Sequence, residues 1–130
     1  MRTFDSGATR DTDKGKLNYL KALSPLVLQR YVMYLDEHRL QSDGTYRDWD
    51  NWKQMFGEKH FDICLESALR HIIDVWKQHQ GYEGQQSIEN SLCGVLFNIQ
   101  AYLFKILVDK EKEGIKNEQN PCLYEYAYQR

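Results

Sequence analysis

The sequence predicts an all-α protein, a compact antiparallel bundle of three main helices. Three observations carry that expectation. Apolar residues recur at spacings of three and four through three long segments. Each segment is opened or closed by a helix-boundary signal. No stretch sustains the period-two alternation of a half-buried strand.

The first helix opens at Ser24-Pro25. Serine offers its oxygen to the orphan amides, and proline fills the first helical position, where a missing N–H costs nothing. Leu28, Tyr31, Val32 and Leu35 then repeat to about Arg39, and Gly44 with its polar neighbours breaks the period. Tyr46 to Lys53 holds two tryptophans among charges without any period and reads as a loop. The second helix runs from about Glu58 to Gln80. Phe61, Leu65, Leu69, Ile72, Val75 and Trp76 line one side, and Glu58, Asp62, Glu66, Arg70 and Asp74 form an i, i+4 ladder on another. Gly81 and Gly84 end it. The third runs from near Ser87 to about Glu113, with an apolar stripe from Leu92 through Val95, Leu96, Ile99 and Leu103 to Ile106 and Leu107, and Gly114 stops it. Cys122 to Tyr128 reads as a possible short terminal strand. The organisation is a polar, flexible arm over 1–16, a helical domain over 17–114 and a tail over 115–130. Three helices bury less core than four, and Leu103 to Val108 is apolar nearly all round. Homo-oligomerisation that completes a four-helix-type core would explain this, and a tail folded back as cover is the alternative.

A chain of 130 residues is one domain's worth, and 42% hydrophobic with 28% charged residues is ordinary globular material. Seventeen basic against nineteen acidic side chains leave a net charge of -2, which argues against binding a nucleic-acid polymer through bulk charge. A pocket for a single nucleotide stays open. Three cysteines without a CxxC pair suit neither zinc nor dithiol redox chemistry and point to a reducing cytoplasm. The polar first sixteen residues do not resemble a signal peptide, and the nonpolar stretches fall short of a membrane span. The expectation is a soluble protein with no membrane partner.

No phosphate-binding glycine loop, HExxH, GxSxG or EF-hand loop is present. What remains is a set of acids, one or two per helix. Glu37 ends the first helix, Asp62 and Glu66 lie on the second, and Glu89 opens the third. Carboxylates projecting inward from facing helices are how bundles hold Mg²⁺, which could bridge phosphate oxygens and activate water. Glu66, between Asp62 and Arg70, is the candidate for catalysis; the plainer reading is an exposed, salt-bridged face. His60 and His71 lie eleven residues apart and share a face. Each reads either as a buried imidazole satisfied by a carboxylate or as a contact to phosphate or base. His38 and His79 read as helix-end caps. In the loop, Arg47, Asp48, Trp49, Asp50, Asn51, Trp52 and Lys53 mix groups that stack on a base, read its edge and bind phosphate. The alternative is a plug for the end of the bundle. Lys14-Gly15-Lys16 either folds onto an anion or stays solvated.

Several segments together resemble the phage and bacterial family named for a dATP/dGTP diphosphohydrolase N-terminal domain. They are Gly7-Ala8-x-Arg10-Asp11, Lys14-Gly15-Lys16, Leu23-x-Pro25, Asp50-Asn51-Trp52-Lys53, Ser67-Ala68-Leu69-Arg70-His71 with Trp76, and Ile88-Glu89 to Phe97-Asn98. The resemblance spans roughly residues 6 to 108 and lies in the order and spacing of these segments. It implies hydrolysis of purine deoxynucleoside triphosphates to monophosphate and pyrophosphate, similar in kind to the MazG-like all-α enzymes that use helix-borne carboxylates and Mg²⁺. Arg10, Lys14, Lys16, Asn51, Trp52, Arg70, His71 and Asn98 match the family pattern as nucleotide-binding positions, and His71 would join Glu66 in catalysis. Tyr82 to Asn90 departs from it, keeping only Glu83 and Glu89 as acids where many members carry Asp and further His. Two functions therefore stand side by side. One is a Mg²⁺-dependent pyrophosphohydrolase with Glu37, Asp62, Glu66 and Glu89 as metal candidates. The other is a protein that binds a nucleotide signal through Arg, Lys, His, Asn and Trp without cleaving it.

Overall fold

The computed structural model describes residues 2–12 and 15–116. Lys14, Cys122, the expected terminal strand and most of the tail lie outside them. The chain is mostly helical, as expected: α1 covers Tyr19–Ala22, α2 Pro25–Glu37, α3 His60–His79 and α4 Ile88–Lys116. The Ser24 hydroxyl accepts from the Val27 amide at 3.3 Å, and Pro25 opens α2. A 3₁₀ turn, Asn51–Gln54, shapes the tryptophan loop. It ends at Met55, whose φ of 69° is a conformation side chains rarely adopt.

The N-terminal residues fold where a flexible arm is expected. β1 (Arg2–Thr3) pairs antiparallel with β2 (Thr9–Arg10), setting Arg2 opposite Arg10, and Gly7 takes the turn at φ 88°. Strands of two residues carry no readable alternation, so the hairpin leaves no periodic trace. It packs against none of the helices.

α3 and α4 form an antiparallel pair, and their seam is polar where an apolar one is expected. Asp74 accepts from Ser91 Oγ at 2.6 Å, Asn98 Nδ2 donates to Ser67 Oγ at 3.0 Å, and His60 Nε2 bonds the Ala101 carbonyl at 2.8 Å. Asp74 is therefore a buried seam residue and not a member of the exposed ladder. Small residues let the helices close on these bonds. Ala68, Cys64 and Ala101 are buried there, and a Cβ at Gly94 would lie 2.6 Å from His71 Nε2. Helix propensity alone favours Gly94→Ala by about 1 kcal/mol. Here the change is expected to destabilise by roughly 1–3 kcal/mol, because the imidazole must leave its slot. Thermal unfolding checks this, and in a His71→Ala background the same change is expected to be neutral or stabilising.

α2 runs in the same direction as α4 and lies on α4 alone. Arg30 donates to Glu89 at 2.9 Å and to Asn90 at 2.7 Å, while Tyr31, Tyr34 and Cys93 form a buried cluster backed by Leu35 and Phe97. Burial pushes the Tyr31 and Tyr34 phenols and the Cys93 thiol up in pKa. No Cα of α2 comes within 8 Å of one on α3, so the helices lie in the order α3, α4, α2, with α2 parallel to α4 where an antiparallel bundle is expected. Large apolar side chains stay in contact with water as a result. On α3 these include Leu65, Leu69, Ile72 and Trp76, with Ile63 and Ile73 beside them; on α4 they include Leu92, Leu96, Ile99 and Leu103; and α2 exposes Leu26, Val27, Leu28, Val32 and Met33.

An 18-residue window within Ile88–Gly114 reaches a mean hydropathy of 1.6, and the helix is long and apolar enough to cross a membrane by length and composition alone. Polar but uncharged residues, Asn90, Ser91, Asn98 and Gln100, interrupt its runs without lowering the average far. Ser91 and Asn98 are the residues that bind this helix to α3.

Candidate functional site

The chain between α2 and α3 is built as a brace around two arginines. Gly44, at φ 88°, lets 39–47 reverse, and Asp43 accepts from both the amide and the hydroxyl of Thr45. Those bonds hold the Asp43 carboxyl below the usual carboxylate range. Arg39 Nε donates to the Arg47 carbonyl at 2.8 Å, and Arg47 Nη1 donates to the His38 carbonyl at 2.8 Å, closing the end of α2. The Arg39 guanidinium also bonds Asp36 at 3.1 Å and lies 4.3 Å from the Trp49 ring centroid.

Trp52 turns back toward α4. Its ring meets Phe104 edge-on at 4.9 Å and Phe97 at 6.4 Å. Phe56 stacks on His60 at 5.2 Å, and its amide donates to His60 Nδ1 at 3.1 Å. The space between this loop, the end of α2 and α4 is a cavity of about 470 Å³. Tyr34, Trp49, Trp52, Phe56 and Phe97 supply aromatic walls. His38, Arg39, Arg47, Asp48 and Asn51 supply the polar rim. Arg47 spends one N–H group on the His38 carbonyl, which leaves guanidinium donors for an anion.

Three residues singled out in the sequence for nucleotide binding thus converge: Arg47, Asn51 and Trp52. Lys14 lies outside the described residues, and the remaining ones are placed elsewhere. Arg10 is exposed on the N-terminal hairpin and Lys16 on the bend that follows, and neither lines the cavity. Asn98 is buried in the α3–α4 seam, its Nδ2 shared between Ser67 and the Gly94 carbonyl. His71 is half-buried in the same seam against Gln86 at 3.3 Å. Burial, then the Arg70 charge, push its pKa down, and His38 is near enough to contribute in the same sense. Arg70 is exposed and 3.8 Å from Glu66, which is the salt-bridged-face reading.

The acids proposed for Mg²⁺ separate into two pairs. Asp62 and Glu66 border one shallow depression on α3 with Lys59 and Arg70. Glu37 and Glu89 flank Arg30 and Cys93, and Glu89 is already bonded to Arg30. Among the described residues no three His, Cys, Asp or Glu side chains gather as metal ligands. These donors do not fit one Mg²⁺ centre in a single chain.

Sequence reasoning missed Tyr34, His38, Arg39, Phe56 and Phe97 as cavity residues. The one local signal was the pair of arginines flanking the Gly44 turn. Tyr34 and Phe97 reach the cavity only through the packing of α2 on α4. No protein-family model, curated protein or solved structure matches the chain. The family resemblance rests on the quoted segments alone.

Proposed function

We propose that this protein binds a small nucleotide in the cavity between α2, the tryptophan loop and α4, retains it without hydrolysis, and works as a homo-oligomer. The convergence of Arg47, Asn51 and Trp52 with further aromatics on one cavity of about 470 Å³ carries this reading. The volume lies within the ordinary range for small-molecule sites, and the lining combines flat apolar walls with a few directed polar groups. A purine ring would lie between the aromatic side chains. The Asn51 amide would read its edge, and Arg47 with His38 would face its phosphates. The carboxylates that a Mg²⁺-dependent cleavage requires lie off this cavity, apart from Asp48 at its rim, which is why retention is preferred over cleavage.

The test is to titrate the protein with dATP, dGTP and a cyclic purine nucleotide, with Mg²⁺ and then with EDTA, while following tryptophan fluorescence. Any bound nucleotide is then recovered by denaturation and chromatography. Quenching, recovery of intact ligand and a weakening of roughly tenfold or more in Arg47→Ala are expected. Pyrophosphate release that disappears in Glu66→Gln would replace retention with hydrolysis. Absence of any nucleotide effect on fluorescence and on melting temperature would remove the proposal.

A further inference from the structure

Apolar residues are left in water on α2 and at several other places, and eight of those on α3 and α4 fall on two regular stripes. From the seam positions Cys64, Ala68, His71 and Val75, one step forward in sequence gives Leu65, Leu69, Ile72 and Trp76. On α4 a forward step of one or two from Ser91, Gly94, Asn98 and Ala101 gives Leu92, Leu96, Ile99 and Leu103. In an antiparallel pair of right-handed helices a forward step turns both helices toward the same side. A backward step from the α4 seam gives Cys93 and Phe97, the residues that meet α2. The two stripes therefore share one face of the hairpin, and α2 with the cavity occupies the other. All eight side chains are between 41% and 58% exposed.

We infer that this face is where two copies of the chain meet, pairing the α3–α4 hairpins into a two-fold, antiparallel four-helix layer. The inference rests on the homo-oligomeric part of the function proposed above. Eight large apolar side chains, each about half exposed, amount to roughly 700 Å². That is close to the ~800 Å² each partner contributes to a standard interface and above the ~300–600 Å² patch of a typical monomer. The spacing is self-complementary. Both stripes step four, three, four, so a two-fold axis crossing α3 between Leu69 and Ile72 sets Leu69 against the partner subunit's Ile72 and Leu65 against the partner subunit's Trp76. Across the seam, the α4 stripe is centred within one helical turn of the same level. The cavity stays open on the outside of each copy.

Sedimentation velocity at tens of micromolar tests this. The natural chain is expected at twice 15.5 kDa, and the double variant Leu69→Glu, Leu96→Glu at 15.5 kDa with its helical circular dichroism retained. A second variant covers the case in which the charged one does not fold. Leu69→Cys combined with Ile72→Cys is expected to oxidise to a covalent dimer, whereas Leu28→Cys on the outer side of α2 is not. A natural chain that sediments as a monomer overturns both the oligomeric reading and this face, whether or not it pellets with phosphatidylserine vesicles. An oligomer that survives the Glu substitutions in folded protein, or that cross-links through Leu28→Cys instead, overturns this face alone.

Discussion

Replacing His60 by alanine is expected to destabilise the protein by roughly 3–5 kcal/mol, a drop in melting temperature of more than ~10 °C. His60 is 1% exposed, among the largest fully buried side chains, and it joins three parts of the molecule. Its Nδ1 accepts from the Phe56 amide at 3.1 Å, so that nitrogen carries no proton. Nε2 must then be the N–H, and it donates to the Ala101 carbonyl at 2.8 Å. That carbonyl lies within α4, and the Phe56 amide lies in the loop that walls the cavity. Alanine would leave the Phe56 amide without its acceptor, take the cross-helix donor from the Ala101 carbonyl, which keeps its own helical bond within α4, and open a void between Cys64, Phe61 and Phe56. The void dominates, and the unpaired amide adds about 1–3 kcal/mol. His60→Asn and His60→Gln can each restore one of the two bonds and are expected to recover part of the loss. Nucleotide affinity should fall with the alanine variant, because Phe56 loses both its stacking partner and its amide anchor. Differential scanning calorimetry of the three variants, with and without dATP, reads both effects.

His60 also shows where sequence reading stops. The Ser24-Pro25 start, the three long helices and the breaks after them were legible because capping and periodicity are local. Arg47, Asn51 and Trp52 were legible as a group because they lie within six residues of one another. The seam was not. Asp74 looks like a member of an exposed helix face, and His71 like a buried or ligand-bound imidazole of unknown partner, until Ser91 and Gly94 are set opposite them, and nothing in α3 alone announces that register. For the same reason Asn98 reads as a ligand contact when its amide is shared between Ser67 on α3 and the Gly94 carbonyl, and His71 when its ring meets Gln86 in the connection before α4. The acids differ in another sense. Asp62, Glu66, Glu37 and Glu89 each lie on or at the expected helix, but a metal centre depends on which faces meet, and the contacts of α2 run to α4.

Lowering the pH is expected to weaken the fold in two stages, and Asp74→Asn should remove the second. The first stage belongs to His71. Its pKa is depressed in the folded state, so the unfolded chain binds its proton more readily, and stability present above pH ~6.5 erodes as the pH falls below that value. The second belongs to Asp74. Its carboxylate accepts from the Ser91 hydroxyl at 2.6 Å, the Gln85 amide at 2.6 Å and the Gln78 amide at 3.0 Å, and these bonds hold its pKa down in that order. A depressed carboxylate contributes stability in full above its unfolded value of ~3.9, and loses it as the pH falls through the folded one. Three donors converge on this side chain, so asparagine cannot replace it. One of its two ends is an NH₂ that would face a donor. Asp74→Asn should therefore melt about 10 °C lower at pH 7. It should also show a flatter decline than the natural chain between about pH 4 and 2, while the His71 stage persists with its pKa depressed further, because the Asp74 charge that opposes the depression is gone. Thermal unfolding followed by circular dichroism at pH 7, 5 and 3 separates the stages. Equal slopes for the two proteins at the acid end would mean that Asp74 does not hold the α3–α4 turn through its charge.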